Sequence, residues 1–254
     1  MEIDGSLPNI VIDVRSLTKK YGDFVAVNNV SFRVRKGEVF GFIGHNGAGK
    51  TTTVNMLTTL LQPTSGIAKV AGFEIVKEYM EVKKRIGYLP ENLQLYESMT
   101  AYENLAYLGK LSGIVNPDAR ILEVLTFLDA TGYKDKKIGE CSKGMRQKIG
   151  IAQAILHKPE VLFLDEPTSG LDPQGVKQLR DSVLKLNEQT GMTIFVNTHL
   201  LSEVTRMCTS LGVLSHGHLI YVDSLAKTLE RFKNEESLEE IYLSIEHGGE
   251  ANAK

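Results

Sequence analysis

Short β-branched and apolar runs alternate along the chain with stretches of helical periodicity. The runs that predict strands are Val11–Val14, Ser31–Val34, Glu38–Ile43, Val161–Leu164 and Thr193–Val196. Such alternation is typical of an α/β domain with a largely parallel core sheet. The run Val161–Leu164 is apolar at every position, which indicates a central strand covered on both faces.

The segment from Glu91 to Lys158 has helical periodicity and almost no strand signal. Apolar residues recur at helical spacing at Tyr102, Leu105, Ala106 and Leu108, and again at Ile121, Leu122, Leu125 and Leu128. This pattern predicts a helical insertion between two groups of strands.

The last fifth of the chain predicts a hairpin followed by an amphipathic helix. The hairpin strands are Leu211–Leu214 and His218–Val222, and His216-Gly217 supplies the turn. The apolar positions of the helix are Leu238, Ile241, Tyr242 and Ile245, and we expect this face to dock on the domain. The small and polar residues 248–254 are expected to be frayed.

Composition excludes some functions. The chain has 254 residues, 42% of them hydrophobic, with a formal charge of −2. Because it has no large basic field, it is not expected to bind nucleic acid through phosphates. We find neither a membrane-spanning apolar run nor a signal peptide, so we expect a cytoplasmic chain. Cys141 and Cys208 form no metal-ligand pattern and are expected to be reduced thiols.

A glycine-rich loop directly after Glu38–Ile43 fits the pattern G-x-x-x-x-G-K-[ST]. The loop and the start of the next helix comprise Gly44, His45, Asn46, Gly47, Ala48, Gly49, Lys50, Thr51 and Thr52. Backbone N–H groups of such a loop converge on phosphate oxygens. Lys50 can reach the β- and γ-phosphates, and the Thr51 hydroxyl can bind Mg²⁺. A plain glycine turn is the weaker interpretation, and the pattern predicts nucleotide binding.

Two adjacent carboxylates, Asp165 and Glu166, end the predicted central strand, where ligands bind in open α/β sheets. Asp165 fits a metal-holding role, and Glu166 could polarise an attacking water. An acidic pair after a strand is by itself more often a turn or a helix start. With the glycine loop upstream, it predicts phosphoryl transfer.

The segment Cys141-Ser142-Lys143-Gly144-Met145-Arg146-Gln147 resembles the signature motif of ATP-binding cassette (ABC) proteins. The resemblance covers nearly the whole chain, through Tyr21, the loop 44–52, Tyr88-Leu89-Pro90-Glu91 (Q-loop), Asp165-Glu166, Ser169-Gly170-Leu171-Asp172 (D-loop) and Asn197-Thr198-His199. It implies an α/β, P-loop ABC-ATPase fold with a mostly parallel core sheet, an antiparallel β portion and a helical insertion subdomain.

The resemblance also implies roles for single residues. Tyr21 would stack on adenine, and His199 would contact the γ-phosphate. Ser142, Gly144 and the D-loop residue Asp172 would meet nucleotide bound by another subunit, so that two chains enclose two ATP molecules head to tail. From the residues alone, Ser142 is simply an N-cap for a helix beginning near Gly144.

Two positions depart from the family pattern. Glu91 stands where the Q-loop glutamine is usual and adds a negative charge at the expected metal site, which it could still meet through oxygen. The signature carries Lys143 for glycine and Met145 for glutamine, while Gly144 is kept. This variant resembles the branch that pairs with export-type membrane subunits, including sodium and drug efflux systems.

We predict residues 1–90 and 159–232 to form the ATP-binding core, 91–158 a helical subdomain, and 233–254 a C-terminal helix and tail. The expected partners are a second ATP-binding subunit, identical or not, and an integral-membrane permease. The permease would hold the chain on the cytoplasmic face of the membrane and bind the transported substrate, which this chain would not.

Three rival functions stay open. A cytosolic ABC-type ATPase of translation or DNA repair usually carries two cassettes or a long coiled-coil insertion, whereas this chain has one P-loop. Glu166 and His199 weigh against a regulator that binds nucleotide without hydrolysis. A GTPase is disfavoured because no N-K-x-D sequence occurs.

His216 and His218 could be metal ligands, but the hairpin interpretation is stronger.

Overall fold

A six-stranded, mostly parallel sheet forms the centre of the protein in a computed structural model that describes residues 9–233 and 240–245. The spatial order of its strands is β10-β9-β3-β8-β7-β6, and only β10 pairs antiparallel with its neighbour. Its strands are β3 (Val39–Ile43), β6 (Ile86–Leu89), β7 (Val161–Asp165), β8 (Thr193–Thr198), β9 (Ser210–Ser215) and β10 (His218–Ser224). The prediction of a largely parallel core sheet is confirmed.

A second, four-stranded antiparallel sheet packs over the P-loop side of the first. Its order is β2-β1-β4-β5, formed by β1 (Ile10–Tyr21), β2 (Phe24–Arg35), β4 (Ser65–Val70) and β5 (Phe73–Glu74). Phenylalanine rings from both sheets meet between them. The ring centroid of Phe32 on β2 lies 5.5 Å from that of Phe40 on β3, which in turn lies 5.3 Å from that of Phe195 on the neighbouring strand β8. Burial of such rings holds the strand ends of the parallel sheet in fixed positions.

The sequence pattern under-predicted the strands in this half. β1 runs to Tyr21 rather than ending at Val14, because register shifts and the positive φ of Ser16 (51°) interrupt its alternation. Strands β4, β5 and β6 were not predicted: β4 begins with three exposed residues, including Gly66, and β6 has only four residues. β4 and β6 pair with β1 and β7, which lie far away in sequence, and among the described residues the two-residue β5 pairs only with β4.

Helices fill the segment between β6 and β7, where the described residues contain one isolated β-bridge and no strand. They are α3 (Ala101–Leu111), α4 (Asp118–Phe127) and α5 (Lys143–Ile155), joined by two short 3₁₀ turns at 131–133 and 138–140. Thr100 and Glu103 form a capping box at the start of α3. The predicted helices are present, while the domain boundaries stay a prediction.

The other helices of residues 9–233 are α1 (Lys50–Leu57), α2 (Tyr79–Arg85), α6 (Pro173–Thr190), α7 (Leu201–Met207) and α8 (Leu225–Arg231). The predicted hairpin is confirmed, because His216 and Gly217 have φ angles of 46° and 80°, as a two-residue turn of this kind requires. Across 9–233 and 240–245, no three His, Cys, Asp or Glu side chains form a metal-binding group. No helix in those ranges has the length and apolarity to cross a bilayer.

The described part of the C-terminal segment, residues 240–245, is helical and docks on the domain as expected. Ile241 and Ile245 are buried in the main apolar cluster, and the Tyr242 hydroxyl accepts a hydrogen bond from the His45 amide at 3.1 Å. Leu238 and the tail 248–254 lie outside the described residues.

Candidate nucleotide-binding site

The P-loop lies between the carboxyl end of β3 and the start of α1. Gly47 and Gly49 have φ angles of 86° and 102°, a region that glycine enters without strain. A Cβ on Gly44 would lie 2.2 Å from the Leu214 carbonyl oxygen, and one on Gly49 would lie 2.4 Å from the Ala26 carbonyl oxygen. The glycines are therefore required by backbone conformation and by close packing against the neighbouring strands.

The Lys50 ammonium is buried under this loop, with 6% of the residue exposed. It donates hydrogen bonds to the carbonyl oxygens of Gly44 at 2.7 Å and His45 at 3.2 Å, and lies 4.0 Å from Glu166 Oε1. Burial lowers the pKa of Lys50, against the opposing influence of nearby carboxylates. The loop thus presents a buried cation at its centre, where a phosphate group can replace the two carbonyl partners.

Asp165, the last residue of β7, is buried and held by two neighbouring strands. Asn197 on β8 donates its side-chain N–H to Asp165 Oδ1, and the Tyr88 hydroxyl on β6 donates to Oδ2 at 3.5 Å. Burial raises the pKa of Asp165, and Glu166 and Glu91 raise it further. This carboxylate is fixed in place, and burial makes its ionised form costly unless a cation lies nearby.

Glu166 follows with a left-handed backbone, at φ 47°, which is uncommon outside glycine. Its amide donates to the Asn197 carbonyl oxygen at 2.9 Å, which holds this strained conformation. Its carboxylate accepts hydrogen bonds from His199 Nδ1 at 2.8 Å and from the Thr198 hydroxyl at 3.5 Å. The carboxylate and the imidazole are therefore oriented by each other at the edge of the sheet.

One cavity of about 510 Å³ unites most of the residues predicted for nucleotide and metal binding. Its lining comprises Tyr21, Phe24, Ala26, Asn46, Gly47, Gly49, Lys50, Thr51, Thr52, Glu91, Glu166, Ser169 and His199. Gly44 and Ala48 do not line it: Gly44 packs against Leu214, and the Ala48 amide is used within the loop by the His45 carbonyl. Asp165 lies just behind the lining.

The structure places Ser142, Gly144 and Asp172 elsewhere, along a second cavity of about 610 Å³. The Ser142 hydroxyl caps α5 by accepting the Met145 amide at 3.3 Å, and the Asp172 carboxylate caps α6 by accepting the Gly175 amide at 2.8 Å. Within one chain, these three residues do not meet the P-loop cavity.

Sequence reasoning assigned no role to several residues of the site. Phe24 lies opposite Tyr21 across the β1–β2 turn, and their side chains are 65% and 50% exposed along the first cavity. The sequence motifs include Tyr88 and Asn197 but do not indicate that both side chains donate hydrogen bonds to Asp165. The strand order would have revealed them, since Asp165 pairs with Asn197 in the β7–β8 register.

The residues present fit a magnesium–triphosphate. Thr51, Asp165 and Glu91 offer hydroxyl and carboxylate oxygens, the ligand type that Mg²⁺ takes together with phosphate oxygens. A Cβ on Gly47 would meet no atom within 4 Å, so the loop is open towards the cavity at this residue. The Asn197 side-chain oxygen is buried without a hydrogen-bond partner among the described residues, next to Asp165.

Comparisons with known proteins agree with this geometry. Residues 27–169 match the family described as ABC transporter. The bacitracin transport ATP-binding protein BcrA of Bacillus licheniformis is 41% identical over 83% of this chain and 68% of its own length. The ABC transporter ATP-binding protein NatA of Bacillus subtilis is 40% identical over 86% of this chain and 89% of its own length.

Solved structures show the same architecture. The structure of an ATP-binding subunit of an ABC transporter superimposes with a TM-score of 0.81 at 29% identity, over 92% of this chain and 99% of its own. The ADP conformation of another ATP-binding cassette gives a TM-score of 0.81 at 26% identity, over 92% and 98%. The predicted family and fold are confirmed, and the chain belongs to the ABC transporter family as an ATP-binding, ATP-hydrolysing subunit.

Proposed function

We propose that two copies of this subunit, or this chain and a similar one, close around two ATP molecules and drive an export permease. In this arrangement the P-loop cavity of one copy binds Mg²⁺-ATP, and Ser142 and Gly144 of the other copy cover its γ-phosphate. A symmetric pair buries the same two surfaces twice, so that both sites are completed at once.

Gly144 is the observation that carries this proposal. It is the second residue of α5, has no positive φ, and a Cβ added there would meet no atom within 4 Å. Neither backbone strain nor packing against the described residues therefore requires glycine at this residue. Close approach by a group outside the chain would account for the glycine, and we assign that group to a phosphate bound by the second copy, beside the Ser142 hydroxyl.

The P-loop cavity supplies what phosphoryl transfer requires, which is positioning and charge neutralisation. Lys50 exchanges its bonds to Gly44 and His45 for bonds to phosphate oxygens. Mg²⁺ would be held by the Thr51 hydroxyl and Asp165, with Glu91 nearby, and would neutralise phosphate charge. Because Asp165 is buried and bonded to Asn197, this carboxylate keeps one orientation for the metal.

Glu166 is the general base of the proposed mechanism. Its carboxylate lies at the cavity edge, bonded to His199 Nδ1 at 2.8 Å, and can accept a proton from the attacking water. His199 holds this carboxylate and is the residue that we expect beside the γ-phosphate. Tyr21 offers its half-exposed ring as a stacking face for adenine.

The helical segment 91–158 is the proposed contact surface for a membrane permease. Exposed apolar side chains on it are Tyr96, Tyr107, Leu111, Val115 and Leu122. We assign residues 1–90 and 159–232 to the ATP-binding core and 233–254 to a C-terminal element. Glu91 lies at the junction, lining the cavity at the edge of the helical segment, and can therefore transmit nucleotide binding to that surface.

Export is favoured by the relatives. Two of them are a bacitracin transport protein and a linearmycin resistance protein, 41% and 39% identical to this chain. We therefore infer that the permease works as an exporter and that it alone contacts the transported substrate. The subunit would sit peripherally on the cytoplasmic face of the membrane.

The test is purification of the tagged full chain from membranes of its native cell after mild detergent extraction. We expect an integral-membrane protein with several spans to co-purify, and the complex to hydrolyse ATP faster than the isolated subunit. Recovery of soluble partners alone, or of nucleic acid, would contradict the proposal.

A further inference from the structure

Lys143 has a charged side chain for which the described residues, 9–233 and 240–245, provide no hydrogen-bonding or ionic partner. It is the first residue of α5, is exposed, and lies between Ser142 and Gly144. Arg146, one turn later on α5, differs because it donates to the Cys141 carbonyl oxygen at 3.2 Å and to Glu97 at 3.3 Å.

The position of Lys143 is unfavourable for the helix itself. The amino end of a helix carries a positive partial charge and is stabilised by acidic side chains, yet the first turn of α5 contains none. A lysine there adds like charge. The ammonium and the backbone N–H groups of this turn together create a local positive potential, which favours binding of an anion from outside the chain.

The Lys143 side chain also touches the D-loop of its own chain. A Cβ on Gly170 would lie 2.5 Å from Lys143 Nζ, so the ammonium rests directly over this glycine. Gly170 follows Ser169, which lines the P-loop cavity, whereas Gly170 and Lys143 line the second cavity. Lys143 therefore lies where the two surfaces that a second copy would contact come together.

We propose that Lys143 supplies a positive charge to the γ-phosphate of ATP bound by the second copy. This rests on the proposed head-to-tail closure and adds to it a discriminating group. The terminal phosphate of ATP places charge beside Lys143, whereas ADP leaves this side chain unpaired. Lys143 thus makes closure more selective for ATP, and its departure from the usual glycine adds a function to the signature.

The test measures the dimer dissociation constant of the full chain carrying Glu166→Gln, by analytical ultracentrifugation with Mg²⁺-ATP or Mg²⁺-ADP at several salt concentrations. Lys143→Met keeps the length of the side chain over Gly170 and removes the charge. Lys143→Arg keeps the charge. Lys148→Met removes a charge on the same helix and cavity and is the matched control.

We expect Lys143→Met to weaken the ATP dimer about a hundredfold, because each symmetric dimer loses two charge-assisted contacts of about tenfold each, and to reduce its salt dependence. ADP behaviour, the Lys143→Arg dimer and the Lys148→Met dimer should stay close to the parent.

An ATP dimer of Lys143→Met as tight as the parent's would overturn the inference. Equal weakening of the dimer with ATP and with ADP would also overturn it, because it would indicate that Lys143 only supports the D-loop of its own chain. Ser142→Asp separates the two levels. If it abolishes the ATP dimer while Lys143→Met does not, closure stands and only the role of Lys143 fails. If the parent forms no ATP dimer, closure of two identical copies and the role of Lys143 both fail.

Discussion

The P-loop cavity differs from the signature face, which we define as the surface formed by Ser142, Lys143, Gly144, Gly170 and Asp172. Both are proposed to bind phosphate, but their charged groups are held in opposite ways. In the cavity, charged groups are buried and already held by partners, as Lys50 and Asp165 show. On the signature face, Lys143 is exposed, and within residues 9–233 and 240–245 it has no hydrogen-bonding or ionic partner and a Cβ on Gly144 would meet no atom within 4 Å.

The difference teaches which half of the site is built within the chain. Buried charges in the cavity cost desolvation, and burial shifts the pKa of Lys50 downwards and that of Asp165 upwards. Hydrogen bonds from the surrounding strands hold them in position before nucleotide arrives. The signature face bears little of this cost, because the Lys143 side chain is exposed and its proposed phosphate partner belongs to a second copy.

Removal of the proposed base breaks the cavity half with the largest effect. We expect Glu166→Gln to lower turnover by about two to four orders of magnitude, the usual contribution of a general base. ATP affinity should remain, because Lys50 and the loop are untouched. Phosphate release and equilibrium binding of ATP measure the two effects separately. Turnover near that of the parent would remove Glu166 from this role.

Gly144→Ala breaks the signature half without harming the fold. The new methyl meets no atom in its own chain, and alanine favours a helix over glycine by about 0.5–1 kcal/mol, so the melting temperature should not fall. Turnover should fall about a hundredfold, because a displaced γ-phosphate loses its alignment. Calorimetry and an ATPase assay check both expectations.

Gly150→Ala on the same helix is the contrasting control. Its Cβ would lie 2.5 Å from Leu93 Cδ2 and 2.6 Å from Leu89 Cδ1, so both leucine side chains must move. Because alanine brings the same helix-propensity gain at both positions, we expect the unfolding free energy of Gly150→Ala to be lower than that of Gly144→Ala. Equal melting temperatures for the two variants, or normal turnover of Gly144→Ala, would contradict the assignment of Gly144 to a second copy.

Tyr21→Ala tests the base-binding wall of the cavity. Loss of a stacking face should weaken ATP binding about 5- to 100-fold, while Tyr21→Phe keeps the ring and should bind nearly as well as the parent. Isothermal titration calorimetry measures both. Phe24→Ala removes the aromatic side chain opposite. If Phe24→Ala weakens binding and Tyr21→Ala does not, adenine stacks on Phe24 instead.

The smallest predicted effect concerns a residue outside both halves. Burial lowers the pKa of His157 below its usual 6.5, and its Nε2 donates to the Ile86 carbonyl oxygen at 2.9 Å. Below pH 6.5 the unfolded chain therefore binds this proton more readily than the folded chain. The imidazole thus makes unfolding free energy fall as pH decreases through this window.

His157→Gln replaces the imidazole with an uncharged donor. We expect the loss of stability between about pH 6.5 and 5 to become smaller in this variant. Denaturant unfolding at a series of pH values measures the slope. An unchanged slope would show that the unfolded and folded chains bind this proton alike.

The comparison of the two halves also explains what the sequence could predict. Local motifs indicate that Lys50, Thr51, Asp165 and Glu166 lie close together, because each is at or shortly after the carboxyl end of a strand. Ser142 was correctly predicted as an N-cap, since capping is likewise local. The parallel core sheet followed from the alternation of strand and helix patterns, and the central place of β7 followed from the apolar run Val161–Leu164.

What escaped prediction depends on pairing between distant segments. Asn197 and Tyr88 reach Asp165 only because β8 and β6 flank β7, and no residue near Asp165 in sequence signals this order. Phe24 faces the cavity because β1 extends to Tyr21 past an irregular stretch. The absence of a partner for Lys143 within the described residues likewise needs coordinates.

A mixing experiment tests the central claim, that one site is shared by two copies, most directly. Both chains carry Glu166→Gln, and one also carries Lys50→Ala while the other carries Ser142→Asp, which preserves the N-cap. Neither chain alone should retain ATP after rapid desalting. In the mixture, Lys50 of one copy faces Ser142 of the other, so we predict that mixed dimers retain one ATP per pair of chains. A mixture that retains no more ATP than either chain alone would contradict a shared site.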